Sequence, residues 1–169
     1  PADRHTLVDD AWALTVAGRW DAADFIDVAR ACAGDDDLNV WQAVSAGLSN
    51  IAHILDGDAL AAFQSDVRGI ARPAFDRVGF EPGANDDDRT RERRATLVRL
   101  LGVTGADDAI IEASASMFDH ADASLGAAAL TVATHHGDES MYQRVHASWQ
   151  TADTPQAEVR NLRALANFP

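Results

Sequence analysis

The sequence contains no lysine, and its 14 basic residues are all arginines, against 27 aspartates and glutamates. The resulting formal charge of −13 repels phosphate backbones, so we expect no nucleic-acid partner. Cys32 is the only cysteine, which excludes an internal disulfide and a zinc site built from several cysteines. A single cysteine also fits a cytoplasmic location.

Long apolar runs are missing as well. The longest weakly polar run, residues 125–134, is too short to cross a bilayer, so we expect no membrane partner. The first residues show neither a basic start nor an apolar signal core. Since no initiating methionine is present, we expect the chain to be trimmed or excerpted from a longer protein.

Helical periodicity is the dominant pattern, whereas the period-two alternation of strands is absent. Apolar residues recur at three- and four-residue steps, which predicts about nine helices. The stripes are Phe25, Val28, Ala29 and Cys32; Trp41, Val44, Leu48, Ile51 and Leu55; Leu60, Phe63, Val67, Ile70 and Ala74; Ile110, Ser114, Met117 and Ala121; Leu125, Ala128, Val132 and His136; Met141, Val145 and Trp149; Val159, Leu162 and Leu165.

Glycine followed by aspartate marks the expected helix boundaries. A left-handed glycine can end one helix and the aspartate can cap the next, and the candidates are Gly34-Asp35, Gly57-Asp58, Gly105-Ala106-Asp107 and Gly137-Asp138. The segment Asp153-Thr154-Pro155 predicts another helix start, with proline in the first turn. Pro73 lies inside a stripe, where we expect a kink or break.

These patterns predict one all-α domain over residues 1–169. The only clear loop, residues 79–88, divides the helices into two groups. Short connections favour antiparallel helical hairpins, stacked as a HEAT-like right-handed superhelix or gathered into a compact α-α bundle.

Sequence motifs for catalysis are missing, including His-Glu-x-x-His, Glu-x-x-His and the phosphate-binding glycine loop. His135 and His136 are adjacent, with His120 and His146 in flanking helices. Neighbouring helical side chains diverge by about 100°, so we interpret the pair as a helix C-terminus and predict no metal ligands and no catalytic residues.

Arginines and tryptophans are the remaining candidates. Arg89, Arg91, Arg93, Arg94 and Arg99 follow three aspartates into one helix, which favours a self-paired, solvated face. A planar guanidinium can also bind a carboxylate on a peptide or a neighbouring domain. The four tryptophans are interpreted as core anchors: Trp12, Trp20, Trp41 and Trp149.

Four stretches carry longer motifs: Leu7 to Leu14 with Ala17-Gly18-Arg19; Asn39-Val40-Trp41-Gln42-Ala43; Val78-Gly79-Phe80 with Arg94-Ala95-Thr96-Leu97; and Gly137-Asp138-Glu139 through Glu158 to Leu162, Leu165 and Ala166. In order and spacing they resemble the C-terminal helical domain of the aminopeptidase N family of zinc metallopeptidases. That domain continues beyond the position matching Phe168, so the resemblance implies a fragment of a larger domain.

The resemblance implies a non-catalytic wall or lid over the active site of a parent zinc aminopeptidase, which removes N-terminal residues from peptides. It implies zinc in the parent and no cofactor in this chain, with the parent's catalytic domain and the peptide substrate as partners. Trp41 and Arg94 occupy motif positions, which predicts that they contact substrate or a neighbouring domain.

Two other functions stay open. A free-standing helical-repeat module would bind a protein partner and would have polar terminal helices. A hydrolase could assemble a Ser-His-Asp triad or a histidine-based metal site in space. The predicted first and last helices carry apolar residues on several faces, so we expect an exposed patch and weak homodimers.

Overall fold

The computed structural model describes residues 2–119 and 122–168, so the predictions for His120 and Ala121 lie outside the described residues. Within those ranges the all-α prediction is confirmed, with nine α-helices and no strand: α1 Ala2–Val16, α2 Ala22–Ala31, α3 Leu38–Ala52, α4 Gly57–Val78, α5 Asp88–Arg99, α6 Asp108–Met117, α7 Ala123–His135, α8 Glu139–Gln150 and α9 Pro155–Ala164. A π-helical segment, Leu100–Thr104, continues α5, and a 3-10 turn, Leu165–Asn167, continues α9. No helix in this part of the chain has the length and apolarity to cross a membrane.

Aspartate side chains begin most of the helices by accepting hydrogen bonds from backbone N–H groups in the first turn. The aspartate N-caps are Asp37, Asp87, Asp107, Asp122 and Asp138. The predicted starts at Asp107, at Asp138 and at Thr154 with Pro155 are therefore confirmed.

The caps predicted at Asp35 and Asp58 are wrong. Helix α3 begins after Asp37, and α4 begins at Gly57 after Asp56. The Asp35 carboxylate instead accepts a hydrogen bond from the Asp37 N–H at 2.8 Å, which organises the loop before α3.

The left-handed helix ends are also fewer than predicted. Gly79 closes α4 with φ +65°, but Gly34, Gly105 and Gly137 do not have positive φ. After the π-helical segment it is Ala106 that takes a positive φ, 45°. There the Gly105 N–H bonds Leu100 O at 2.9 Å, so a wider turn ends the helix without a left-handed glycine.

A kink or break was predicted at Pro73; helix α4 continues through this residue, so the break is wrong and the kink stays a prediction. Pro73 and Gly69, the residue whose carbonyl loses its helical donor, are both exposed. The missing bond therefore leaves no buried carbonyl unsatisfied, and the neighbouring turns hold the helix together. In one of them, Arg77 donates to Pro73 O at 2.9 Å.

The odd-numbered helices form a continuous layer in chain order. Helix α1 packs on α3, α3 on α5, α5 on α7 and α7 on α9. Helix α2 packs on α1, α6 on α7 and α8 on α9, so neighbours along the chain are also neighbours in space. This order is typical of stacked helical pairs; the right-handed HEAT-like superhelix stays a prediction.

Two hydrophobic clusters hold these helices. The larger cluster contains buried residues from α1 to α7, which lie on both sides of the loop at 79–88. The smaller cluster joins the C-terminal helices, and its members are Phe118, Ala129, Leu130, Ala133, Met141, Val145 and Ala164. Because α7 contributes to both clusters, it connects α8 and α9 to the rest of the fold. Trp41 is fully buried, as predicted, whereas the core position predicted for Trp20 is wrong: this side chain is 37% exposed beyond the end of α1.

Gly47 provides a test of the packing between α2 and α3. A Cβ at Gly47 would lie 2.2 Å from Phe25 Cζ, and Phe25 is fully buried with its ring 5.1 Å from Trp12. We expect Gly47→Ala to lower the free energy of unfolding by about 1–3 kcal/mol, because the ring must move within a filled core. Urea unfolding measures this change.

The matched control is Gly69→Ala in α4, where a Cβ would meet nothing within 4 Å. Alanine is the better helix former, so this change is expected to stabilise the protein by up to about 1 kcal/mol. A Gly47→Ala variant at least as stable as the wild type would contradict the close approach of α2 and α3.

Candidate functional site

The acidic loop, residues 35–37, connects α2 to α3 and lies against arginines from other helices. Arg4 of α1 binds the Asp35 carboxylate through both Nε and Nη2, with Nη2 at 3.2 Å from Oδ1. Arg77 of α4 donates from Nε to Asp36 Oδ1 at 3.2 Å. The loop therefore ties α1 and α4 to the start of α3.

Helix α5 supplies further cations to the same loop. Arg93 Nη1 lies 3.0 Å from Asp36 Oδ1, and Arg89 Nη2 lies 3.4 Å from Asp37 Oδ2. Arg91 lies 3.8 Å from Asp122, the N-cap of α7. The predicted self-pairing of this arginine run is therefore wrong for these residues, because their partners lie on other segments.

Arg94 is the most buried of these arginines, with 1% of its surface exposed. It donates to Val78 O at 3.0 Å and to Gly79 O at 3.1 Å, and it binds the Asp86 carboxylate. A cation suits the last carbonyls of a helix. Arg94 thus closes the C-terminal end of α4 and holds the loop at 79–88 against α5.

Trp41 lies at the start of α3 with no exposed surface. Its indole Nε1 donates to Asp35 O at 2.8 Å, so its polar atom is satisfied inside the core. The structure brings Trp41 and Arg94 to two ends of one network, joined through the acidic loop and α5, and it buries both side chains within this chain.

Electrostatics favour the ionised forms of two carboxylates, Asp35 and Asp86. Burial acts to raise the pKa of Asp35, but the bonds from Arg4 and the Asp37 N–H together hold that pKa below its usual value. The Arg94 bond likewise lowers the pKa of Asp86. Because these pKa values are depressed, the stability they contribute is present above the usual aspartate pKa and is lost as pH falls through the folded values.

The histidine pair lies at the end of α7, where the sequence places it. His136 is the C-cap residue, and its Nε2 lies 2.8 Å from Gly102 O. Burial, and then the charges of His136 and His53, lower the pKa of His135. Among the described residues no group of three histidine, cysteine, aspartate or glutamate side chains could hold a metal ion. The described residues therefore do not fit a zinc ion.

Asp35 and Asp36 form the centre of the network, and neither was predicted as a site residue from the sequence. The sequence did contain an indication of these two residues: a short acidic run precedes a helix, and a basic run occurs elsewhere in the chain. The pairing of the two runs could not be read from spacing, because more than fifty residues separate Asp36 from Arg93.

These features define an all-α domain in which a partly buried polar network joins several of the helices. The model of one family, the ERAP1-like C-terminal domain, matches residues 1–169. The chain belongs to this family, which confirms the resemblance to the C-terminal domain of the aminopeptidase N family.

Two relatives support this membership. The chain is 24% identical over 109 residues to an aminopeptidase N of Plutella xylostella, covering 64% of this chain and 12% of that protein. It is 28% identical over 106 residues to a puromycin-sensitive aminopeptidase of Caenorhabditis elegans, covering 61% of this chain and 11% of that protein. The matched region thus spans about one eighth to one ninth of the relatives' length.

Proposed function

We propose that this chain is a non-catalytic segment of a zinc aminopeptidase and forms part of a wall or lid over the active site. The parent would remove N-terminal residues from peptides, and this segment would limit which peptides enter. The observation that carries the proposal is the whole-chain match to a C-terminal domain family whose relatives are aminopeptidases about eight to nine times longer than the matched region.

The surfaces of the terminal helices favour this proposal over a free-standing interaction module. Leu7 and Val16 of α1 are 56% and 69% exposed, and Leu162 of α9 is 50% exposed. An open groove of about 650 Å³ also lies between α7 and α9, lined in part by Leu130 and Val159. A free module would cap its ends with polar helices, whereas a segment of a larger wall would have these faces covered by its neighbours.

The partners in this proposal are the catalytic domain of the parent and the peptide substrate. Zinc belongs to the catalytic domain, where it would activate the attacking water. The contacts predicted for Arg94 and Trp41 stay a prediction, and their burial favours an indirect effect through the positions of α3 and α5. A cytoplasmic location is supported by the single cysteine, Cys32, which is buried and unpaired.

Zinc analysis and an aminoacyl-fluorophore assay test whether zinc binding and peptidase activity belong to the parent protein and not to this segment alone. We expect the parent protein to bind zinc and turn over substrate, and the 169-residue chain to do neither when purified without chelator. One tightly bound zinc per chain, or activity that persists through further purification, would refute the non-catalytic role.

Hydrogen–deuterium exchange in the parent tests the wall. Addition of a competitive inhibitor that occupies the catalytic site is expected to change protection in some helices of this segment, since a closing wall buries part of its surface. If inhibitor binding is verified and exchange is unchanged throughout the segment, the result contradicts the proposed wall.

Self-association of the isolated chain is a separate expectation. Burying a few hundred Å² of apolar surface at about 25 cal/mol per Å² favours weak dimers, while the charge of −13 opposes them. Sedimentation should therefore show concentration-dependent dimers that strengthen with salt, which screens the repulsion. Leu162→Asn should weaken them, whereas Ile54→Asn in the turn before α4, 81% exposed, should not. A strict monomer at all concentrations would contradict this prediction.

A further inference from the structure

A small cleft away from the acidic loop lies where α3, α5, α7 and the π-helical segment meet. Its volume is about 260 Å³, less than a drug-sized ligand needs and enough for a small polar molecule. The lining combines one arginine with several hydroxyl groups: Ser45, Ser49, Thr96, Arg99, Thr104 and Thr131. Ala46, Leu100 and Val103 complete the lining, so the cleft is open to solvent and largely apolar, with one arginine and several hydroxyl groups on its wall.

Arg99 differs from the other arginines of α5. Arg89, Arg91, Arg93 and Arg94 each lie within 4 Å of a carboxylate, whereas Arg99 has no ion pair or hydrogen bond among the described residues. It is partly buried, and burial lowers its pKa while Glu92 acts in the opposite direction. Glu92 itself accepts a hydrogen bond from Ser124. Because arginine stays protonated in proteins, Arg99 gives the cleft a partly buried cation that no carboxylate of the described residues neutralises within 4 Å.

The hydroxyl groups supply matching donors. Ser45 Oγ is buried and has no hydrogen-bond partner in the described structure. Ser49 Oγ and Thr104 Oγ1 lie 2.9 Å apart, so one hydroxyl donates to the other and the second hydrogen is left for another acceptor. Thr96 and Thr131 differ, since each donates to a carbonyl of its own helix at 2.9 Å.

The backbone beside Arg99 is unusual as well. The π-helical segment Leu100–Thr104 begins immediately after Arg99 and carries Thr104 into the cleft wall. Short π-helical insertions are rare and are frequent at functional sites. The extra residue in this turn changes which side chains of the segment share a face with Arg99, and it brings Thr104 to Ser49.

We propose that this cleft binds the carboxylate group of a small organic acid. The planar guanidinium of Arg99 matches the two carboxylate oxygens, and Ser45 with the Ser49–Thr104 pair provides further donors. One cation in a chain of net charge −13 favours a monoanion over phosphate or sulfate. The binding would occur whether or not the parent protein is a peptidase.

The test is a titration of the full-length protein with acetate, monitored by NMR signals of the arginine Nε–Hε groups. Chloride at matched ionic strength controls for screening. We expect a saturable shift at Arg99 with acetate only. Arg99→Gln and Ser45→Ala should each weaken acetate binding about tenfold or more, as expected for hydrogen bonds to a charged group. Arg30→Gln, an exposed arginine of α2, is the matched control and should leave binding unchanged.

Three results would overturn the proposal: equal, non-saturating shifts with acetate and chloride; acetate binding that survives both substitutions; or tighter binding of sulfate than of acetate. Circular dichroism verifies that each variant is folded. If Arg99→Gln does not fold, Ser45→Ala decides the outcome, because it removes only one hydroxyl that has no partner in the structure.

Discussion

Replacement of Trp41 by alanine is expected to lower the free energy of unfolding by about 3–5 kcal/mol. The indole is fully buried between the helices of the larger cluster and donates to Asp35 O at 2.8 Å. Alanine would leave a cavity and would remove the donor of a carbonyl in the acidic loop. Urea unfolding followed by circular dichroism measures the change.

Two further substitutions separate the contributions. Trp41→Phe keeps most of the ring volume and loses the hydrogen bond, so it should cost about 1–2 kcal/mol. Trp20→Ala, at a side chain that is 37% exposed, should cost less than about 1 kcal/mol. A loss below about 1 kcal/mol for Trp41→Ala would contradict its place in the core.

Local pattern was sufficient to predict the helices. In α3 the three- and four-residue steps between Trp41, Val44, Leu48 and Ile51 identify the buried face, and all four side chains are buried. Such a stripe predicts which face of a helix is buried, and the prediction needs only the residues of that helix. The same logic predicts the N-caps at Asp107 and Asp138, where a short polar side chain precedes each stripe.

Long-range pairing could not be predicted in this way. Aspartate is a common N-cap residue, but the carboxylate of Asp35 is bound instead by Arg4, from a distant helix, and by the Asp37 N–H. Proline usually breaks a helix, but Pro73 is exposed, which removes most of the free-energy cost expected from the missing hydrogen bond. In each case the outcome depends on a neighbour or a surface that only the folded chain supplies.

The candidate site was also predicted only in part from the sequence. Sequence motifs selected Trp41 and Arg94, and the structure places both in the polar network between α3, α4 and α5. The cleft at Arg99 had no sequence signal, because the π-helical turn changes the register of the side chains without changing composition.

Replacement of Arg94 by alanine is expected to lower the free energy of unfolding by about 2–4 kcal/mol. The substitution removes the donors to the carbonyls of Val78 and Gly79, which lie at the C-terminal end of α4. Arg94→Lys should fall between alanine and the wild type, since an ammonium group cannot bind all three acceptors in the geometry of a guanidinium. Arg89→Ala is the matched control: Arg89 is exposed and pairs with Asp37 at 3.4 Å, so its loss should cost less than about 1 kcal/mol.

Kinetics of the same variants in the proposed parent enzyme separate a structural role of Arg94 from a contact role. If Arg94 acts only by closing α4, kcat/KM should follow the folded fraction, and both Arg94 variants should recover wild-type values when assayed well below their Tm. A direct contact with a peptide carboxylate or with another domain predicts a loss of kcat/KM that persists in fully folded protein, with partial recovery in Arg94→Lys because the charge is retained. Since the side chain is 1% exposed and hydrogen-bonded within this chain, we expect the first result. A persistent kinetic defect in fully folded Arg94→Ala, with partial recovery in Arg94→Lys, would instead support a direct contact of Arg94 with substrate or with another domain.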